Sequence, residues 1–186
     1  RDVFNFNSEN WGFRMNMPWG NATASLRWNH LFNSNLFMNT SLIFSDYKYA
    51  LNMSQDLDSV PSSQTSMFSG IRDWNVKNDF SYYPNPKHKI KFGSNYVYHR
   101  FNPTSFSGNY DDLELEQIIN YYAHEYGLYI NDEYDFNKRL LINIGLRYSG
   151  FIQVGPFERH VKDNSGQIGQ ISTDTIISYE KGDVVE

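Results

Sequence analysis

Cysteine is absent from this 186-residue chain, which excludes a disulfide framework and a thiolate metal site. No run of ~20 apolar residues occurs, which excludes a transmembrane helix. The basic excess that marks a nucleic-acid binder is missing too, with 16 Lys and Arg against 21 Asp and Glu and a net charge of −5. No basic segment followed by an apolar stretch opens the chain, so no signal peptide is visible. Signatures of chemistry are equally scarce. His30, His88, His99, His124 and His160 show no HExxH-like spacing. In His124-Glu125 the two side chains fall on opposite faces of a strand. The acidic run Asp111, Asp112, Glu114 and Glu116 lacks the spacing of a calcium loop and reads as a solvated face. No nucleophile–base pair, phosphate-cradling glycine loop or dinucleotide fingerprint is present. The residues therefore point to no enzyme, no metal and no cofactor.

What is there is alternation. In Asn21–Leu31, Ala22, Ala24, Leu26 and Trp28 alternate with Thr23, Ser25, Arg27 and Asn29. Similar patterns predict strands over Leu36–Tyr49, Ile71–Tyr83, His88–Phe101, Ile119–Asp135 and Leu140–Phe151. The apolar set is even-numbered in all six, with His124 and Asp132 as exceptions, so one continuous sheet face is expected to be apolar. Short polar turns join the strands in pairs, at Phe32–Asn35, Pro84–Lys87 and Phe136–Arg139. Asn33, Asn85 and Asn137 are 52 residues apart (85 − 33 and 137 − 85).

Short turns on one side and long connections on the other fit a transmembrane β-barrel. A mean hydropathy of −0.61 does not oppose this, because lipid-facing and lumen-facing residues alternate and average out. The predicted hairpins are 21–49, 71–101 and 119–151, with long outer loops at 50–70, 102–118 and 152–186. Residues 1–20 read as the tail of a preceding outer loop. Trp28, Tyr82 and Tyr134 fall near the short turns, and Tyr98, Tyr122 and Tyr148 toward the other strand ends, where aromatic girdles sit. Leu26, Val76, Phe92, Leu128 and Ile144 are expected in the middle of the apolar band.

Six strands cannot close a membrane barrel, for which eight is the smallest single-chain number. An open edge in lipid would leave backbone N–H and C=O groups unsatisfied. The expectation is a barrel portion within a longer protein.

Several segments carry a family resemblance. They are Trp19-Gly20-Asn21-Ala22-Thr23-Ala24-Ser25-Leu26-Arg27-Trp28-Asn29-His30-Leu31-Phe32, Gly70-Ile71-Arg72-Asp73-Trp74, and Asp79-Phe80-Ser81-Tyr82-Tyr83-Pro84-Asn85-Pro86. Further on come Tyr126-Gly127-Leu128-Tyr129-Ile130-Asn131-Asp132-Glu133 and Gly145-Leu146-Arg147-Tyr148-Ser149-Gly150-Phe151. Over nearly its whole length the chain resembles the middle of the barrel of a TonB-dependent outer-membrane receptor of the Bacteroidetes type. That resemblance implies a place in the lipid bilayer of a Gram-negative outer membrane. It also implies a plug domain and further strands supplied by the rest of the receptor, and TonB as energy-coupling partner. Neither plug nor TonB box is present in these residues. The implied activity is energised uptake of a siderophore, vitamin, glycan or peptide.

Ligand contact is expected at the long-loop side, where recognition loops sit on a rigid scaffold. Candidate ligand-binding residues are Tyr47, Tyr49, Arg72, Asp73, His99, Phe106, Tyr110 and Phe157. Two other readings remain open: a soluble all-β ligand-binding module, and a non-transporting structural outer-membrane barrel.

Overall fold

A computed structural model describes residues 2–8, 12–57, 60–110, 113–117, 120–161 and 175–185. Among the described residues there are ten strands: β1 (Asp2–Ser8), β2 (Phe13–Asn33), β3 (Leu36–Leu57), β4 (Val60–Asn85), β5 (His88–Tyr110), β6 (Leu113–Gln117), β7 (Tyr121–Asn137), β8 (Leu140–Val154), β9 (Phe157–Val161) and β10 (Thr175–Tyr179). One sheet runs β1-β2-β3-β4-β5-β7-β8, with β6 also on β5, and β9 and β10 form a small hairpin. All pairings are antiparallel. The six long strands follow one another as neighbours in the antiparallel up-and-down order that the three short turns predict.

The 52-residue asparagine spacing has a local cause. The side-chain oxygens of Asn33, Asn85 and Asn137 accept the backbone N–H two residues on, from Asn35, Lys87 and Arg139, at 2.9, 3.0 and 2.9 Å. An asparagine side chain bonded in this way mimics a backbone turn, and all three hairpins use it.

The three turns are not level. Leu26, Leu42, Val76, Tyr96, Tyr126 and Gly150 lie opposite one another across successive strands. From this rung the turn asparagine is 7 residues away in β2 (33 − 26), 9 in β4 (85 − 76) and 11 in β7 (137 − 126). The stagger is thus one residue per strand. With a rise of ~3.4 Å per residue and strands ~4.8 Å apart, that is a slope of about 35°. Membrane barrels tilt their strands by roughly 35–45°.

The sheet is one curved layer. Even-numbered residues of the six long strands stand out from it, with Leu26 66%, Ile144 70% and Leu146 73% exposed. On the odd-numbered side Ser41, Val97 and Ala123 are buried. Side chains crowd only on the inside of a curve, so the odd-numbered face is concave. A soluble sandwich would cover its large apolar residues with a second sheet; among the described residues no such layer exists. The soluble-module reading has no support here.

The polar groups on the convex face pair with one another. Thr40 Oγ1 donates to Asn78 Oδ1 at 2.7 Å, Tyr96 Oη meets His124 Nδ1 at 2.7 Å, and His88 Nδ1 meets Asp132 Oδ2 at 2.7 Å. Both exceptions to the alternation, His124 and Asp132, thereby each gain one polar partner, while Asp132 Oδ1 has none.

The expected long loops are corrected. Most of 50–70 is the end of β3 and the start of β4, and most of 102–118 is the end of β5 together with β6. Residues 1–20 hold β1 and the start of β2 rather than a loop tail, and 152–186 holds the end of β8, β9 and β10. The loop reading followed composition and one fixed parity. Above the middle of the sheet the alternation continues with its parity reversed. Asp111 and Asp112 lie outside the described residues. Glu114 and Glu116 stand in β6 opposite Asn109 and Ser107.

Candidate functional site

The reversal of parity builds the site. In β2, Ala22, Ala24, Leu26 and Trp28 are even-numbered, whereas Phe13, Met15, Met17 and Trp19 are odd-numbered. In β3 the change falls between Phe44 and Tyr47, and in β5 between Tyr98 and Phe101. The β2–β3 and β3–β4 registers run through this level unshifted, so the faces themselves do not swap. Convex becomes polar at the upper end, and concave becomes apolar. Asn16 Nδ2 donates to Asn5 Oδ1 at 2.5 Å, and Asn52 Nδ2 to Asn16 Oδ1 at 3.3 Å, making a polar ladder on the convex side.

The concave face has two zones. Below, it is polar: Lys77 pairs with Asp79 at 2.9 Å, Lys89 with Glu133 at 2.6 Å, and Tyr129 Oη donates to Asp79 Oδ1 at 2.5 Å. Above it is aromatic. Tyr47, Ile71, Phe101 and Tyr121 oppose one another across β3, β4, β5 and β7, and Tyr121 meets Phe157 edge-on at 5.3 Å. Tyr47 and Tyr49 have ring centroids 6.5 Å apart, and both stay exposed. Phe157 also stacks on Tyr179 at 6.2 Å.

At the junction between the zones sits His99. Its Nδ1 meets Asp73 Oδ1 at 2.8 Å and its Nε2 lies 3.4 Å from Glu125 Oε2. The side chain is 12% exposed and its ring stacks on Phe101 at 5.1 Å. The Nδ1 bond to Asp73 fixes the ring, while the buried Nε2 has Glu125 near it but no hydrogen-bond partner, so the two carboxylates do not converge on a common point. Among the described residues no group of three or more metal-ligating side chains could hold an ion.

The expected candidates divide by face. Tyr47, Tyr49, Asp73, His99 and Phe157 gather on the concave wall. Arg72 does not: it lies on the convex side, with Nε and Nη2 each 3.3 Å from Asp46. The period-2 rule alone separates it from Asp73, its neighbour. Phe106 and Tyr110 have backbone positions in β5, opposite Met67 and Ser63, and their side chains lie outside the described residues. Ile71, Phe101 and Tyr121 belong to the wall and were not foreseen. The signal was available in the sequence, as a change of parity rather than its persistence.

Where the wall meets β5, the strand carries an extra residue. Between the pairs Gly70↔Asn102 and Phe68↔Ser105, β5 advances three positions against two in β4. Pro103 lies in this bulge, where a residue without an N–H is tolerated.

A family model described as TonB dependent receptor-like, beta-barrel matches residues 2–174. The chain matches no curated protein and no solved structure. The match spans the whole staggered sheet and both its faces: the chain belongs to the TonB-dependent receptor-like β-barrel family and forms a segment of an outer-membrane receptor barrel.

Proposed function

We propose that this segment forms part of the barrel wall and outer vestibule of a receptor for energised uptake of a siderophore, vitamin, glycan or peptide. The observation that carries this is the wall of Tyr47, Tyr49, Phe101 and Tyr121 with Ile71 among them, the two tyrosines of β3 and Ile71 exposed and Phe101 and Tyr121 half-buried, set above a polar concave face. Exposed aromatics on a rigid sheet offer large contact area at little entropic cost. The short turns lie at the periplasmic rim and the aromatic wall at the extracellular end. Among the described residues β1 and β8 have a neighbour on one side only. Lipid cannot satisfy such edges, so the remaining strands of the same receptor close the barrel. A plug domain fills the lower lumen and TonB supplies the energy. The chain works in transport rather than catalysis.

The test uses the full-length receptor in outer-membrane vesicles. Replacing Tyr47 and Phe101 by Ala weakens nutrient binding by tenfold or more, on the order of the ≥ ~1 kcal/mol typical of central aromatic contacts. Replacing Pro86 and Lys87 in the opposite turn by Gly and Ser leaves it unchanged. Loss of binding in the turn variant alone, with both barrels folded, would place the site at the other end.

A further inference from the structure

We infer a second binding site, on the convex face, for the phosphate-bearing headgroup of a lipid in the outer leaflet. This rests on the reading above, in which that face meets the membrane with the aromatic end outward. A depression of about 520 Å³ lies one rung above the aromatic pair Phe44–Trp74, whose rings are 4.6 Å apart. Its floor is made of small residues, Gly20, Ala22, Ala50 and Gly70. A Cβ on Gly70 would come 2.8 Å from Tyr47 O and 3.3 Å from Lys48 Cβ, so a side chain here would crowd the floor beside the lysine.

The rim is basic. Lys48, Arg72 and Arg100 border the depression, against one carboxylate, Asp46. Asp46 lies 3.2 Å from Lys48 and 3.3 Å from Arg72, and Arg100 donates to Asn120 at 3.2 Å. Three cations against one anion leave two positive charges. Arg72 and Arg100 also lie directly opposite each other on β4 and β5. Like charges so placed repel, and a shared anion relieves this. Guanidinium groups match phosphate oxygens in a bidentate fork, and a lysine adds a point charge. Phe68 and the alanines make the same depression apolar, and the apolar band begins directly below it. A free anion has no use for that surface, whereas a lipid brings both a phosphate and an apolar body.

The experiment measures lipid binding to the full-length receptor in mixed micelles by native mass spectrometry, with diacyl phosphatidic acid as probe. The expected result is saturable binding, weakened about tenfold or more by the double change Lys48→Gln and Arg100→Gln, which leaves the Arg72–Asp46 pair in place. Diacylglycerol, the same lipid without phosphate, does not saturate, and inorganic phosphate does not compete. Equal affinity in wild type and double variant overturns the site. Equal binding of diacylglycerol overturns the phosphate, and full competition by inorganic phosphate makes it a free-anion site instead. Should the double variant not assemble, Asp46→Asn answers with the opposite sign: removing the rival carboxylate tightens binding several-fold, and unchanged or weaker binding overturns the site. Lipids with brominated acyl chains separate this proposal from the reading beneath it. They quench wild-type fluorescence more than that of Trp74→Phe where this face meets lipid. No difference sinks the membrane placement itself; a clear difference without phosphate-dependent binding sinks the headgroup site alone.

Discussion

Tyr129 and Asp79 share a hydrogen bond of 2.5 Å although a whole strand lies between them. Tyr129 is on β7 and Asp79 on β4, and each opposes Gly93 of β5. The ring crosses β5 where there is no side chain to meet. A Cβ at Gly93 would run into Asn78 O and lie 2.8 Å from Tyr129 Cε1. The glycine thus makes the three-strand bridge possible on the concave face.

Gly93→Ala is expected to destabilise the folded barrel by about 1–3 kcal/mol, the range for overpacking a close contact. Tyr129→Phe removes the hydrogen bond to a carboxylate and costs about 1.5–3 kcal/mol. Both changes break one bridge, so the double variant costs less than the sum. Urea unfolding of the full-length receptor in detergent, for the two single variants and the double, checks this; strict additivity would show the two residues to be independent.

Ile144 and Asn143 test the face assignment. Ile144 is 70% exposed on the convex side, and Asn143 opposes Glu133 on the concave side. Ile144→Arg is expected to cost ~2–4 kcal/mol near the bilayer midplane, and Asn143→Arg little, because it faces the lumen beside a carboxylate. The folded fraction on insertion into lipid vesicles distinguishes them, and equal damage would reverse the reading of the faces.

The long strands, their order and their parity were legible because lipid on one side and water on the other impose a period-2 contrast on Leu26, Val76, Leu128 and Ile144. The three short turns were legible too, in the positions of Asn33, Asn85 and Asn137, but their stagger needs the strand register, which the sequence does not print. The upper sheet was not. Past the aromatic pair Phe44–Trp74 the convex face turns polar, as Asn16 and Asn52 show, and a fixed-parity search reads such a stretch as loop. Phe101 and Tyr121 lie within the expected strands but on the face expected to be polar, and Arg72 and Asp73, neighbours in one strand, point to opposite sides.

Asp46 supplies a pH dependence. Its rung lies above the apolar band, and the Arg72 guanidinium, followed by Lys48, holds its carboxyl below the ordinary carboxylate range against a raising effect of burial. A carboxyl lowered in the folded state binds protons less readily than in the unfolded chain. Its stabilising contribution is therefore present above the unfolded value of about 3.9 and lost as the pH falls below it. Thermal midpoints measured from pH 6 down to pH 3 should fall less steeply for Asp46→Asn than for wild type. Parallel curves would mean that the carboxyl contributes no linkage.

The pair His88 and Asp132 puts the membrane reading to its sharpest test. Asp132 breaks an otherwise apolar rung, opposite Ile90 and Ile144. Its Oδ2 lies 2.7 Å from His88 Nδ1, its Oδ1 has no partner, and the imidazole stacks on Tyr134 at 4.4 Å. If this surface faced water, removing the imidazole would cost little, because water would replace it. Against lipid, His88→Leu strands a polar group and costs about 1–3 kcal/mol. Asp132→Leu, made on that background, restores most of the loss, since an apolar pair of similar shape needs no partner. A double-mutant cycle on the refolded receptor therefore gives a coupling of at least about 1 kcal/mol. Near-zero coupling, with His88→Leu itself harmless, would mean that this end of the convex face is wet and that the apolar band stops short of it.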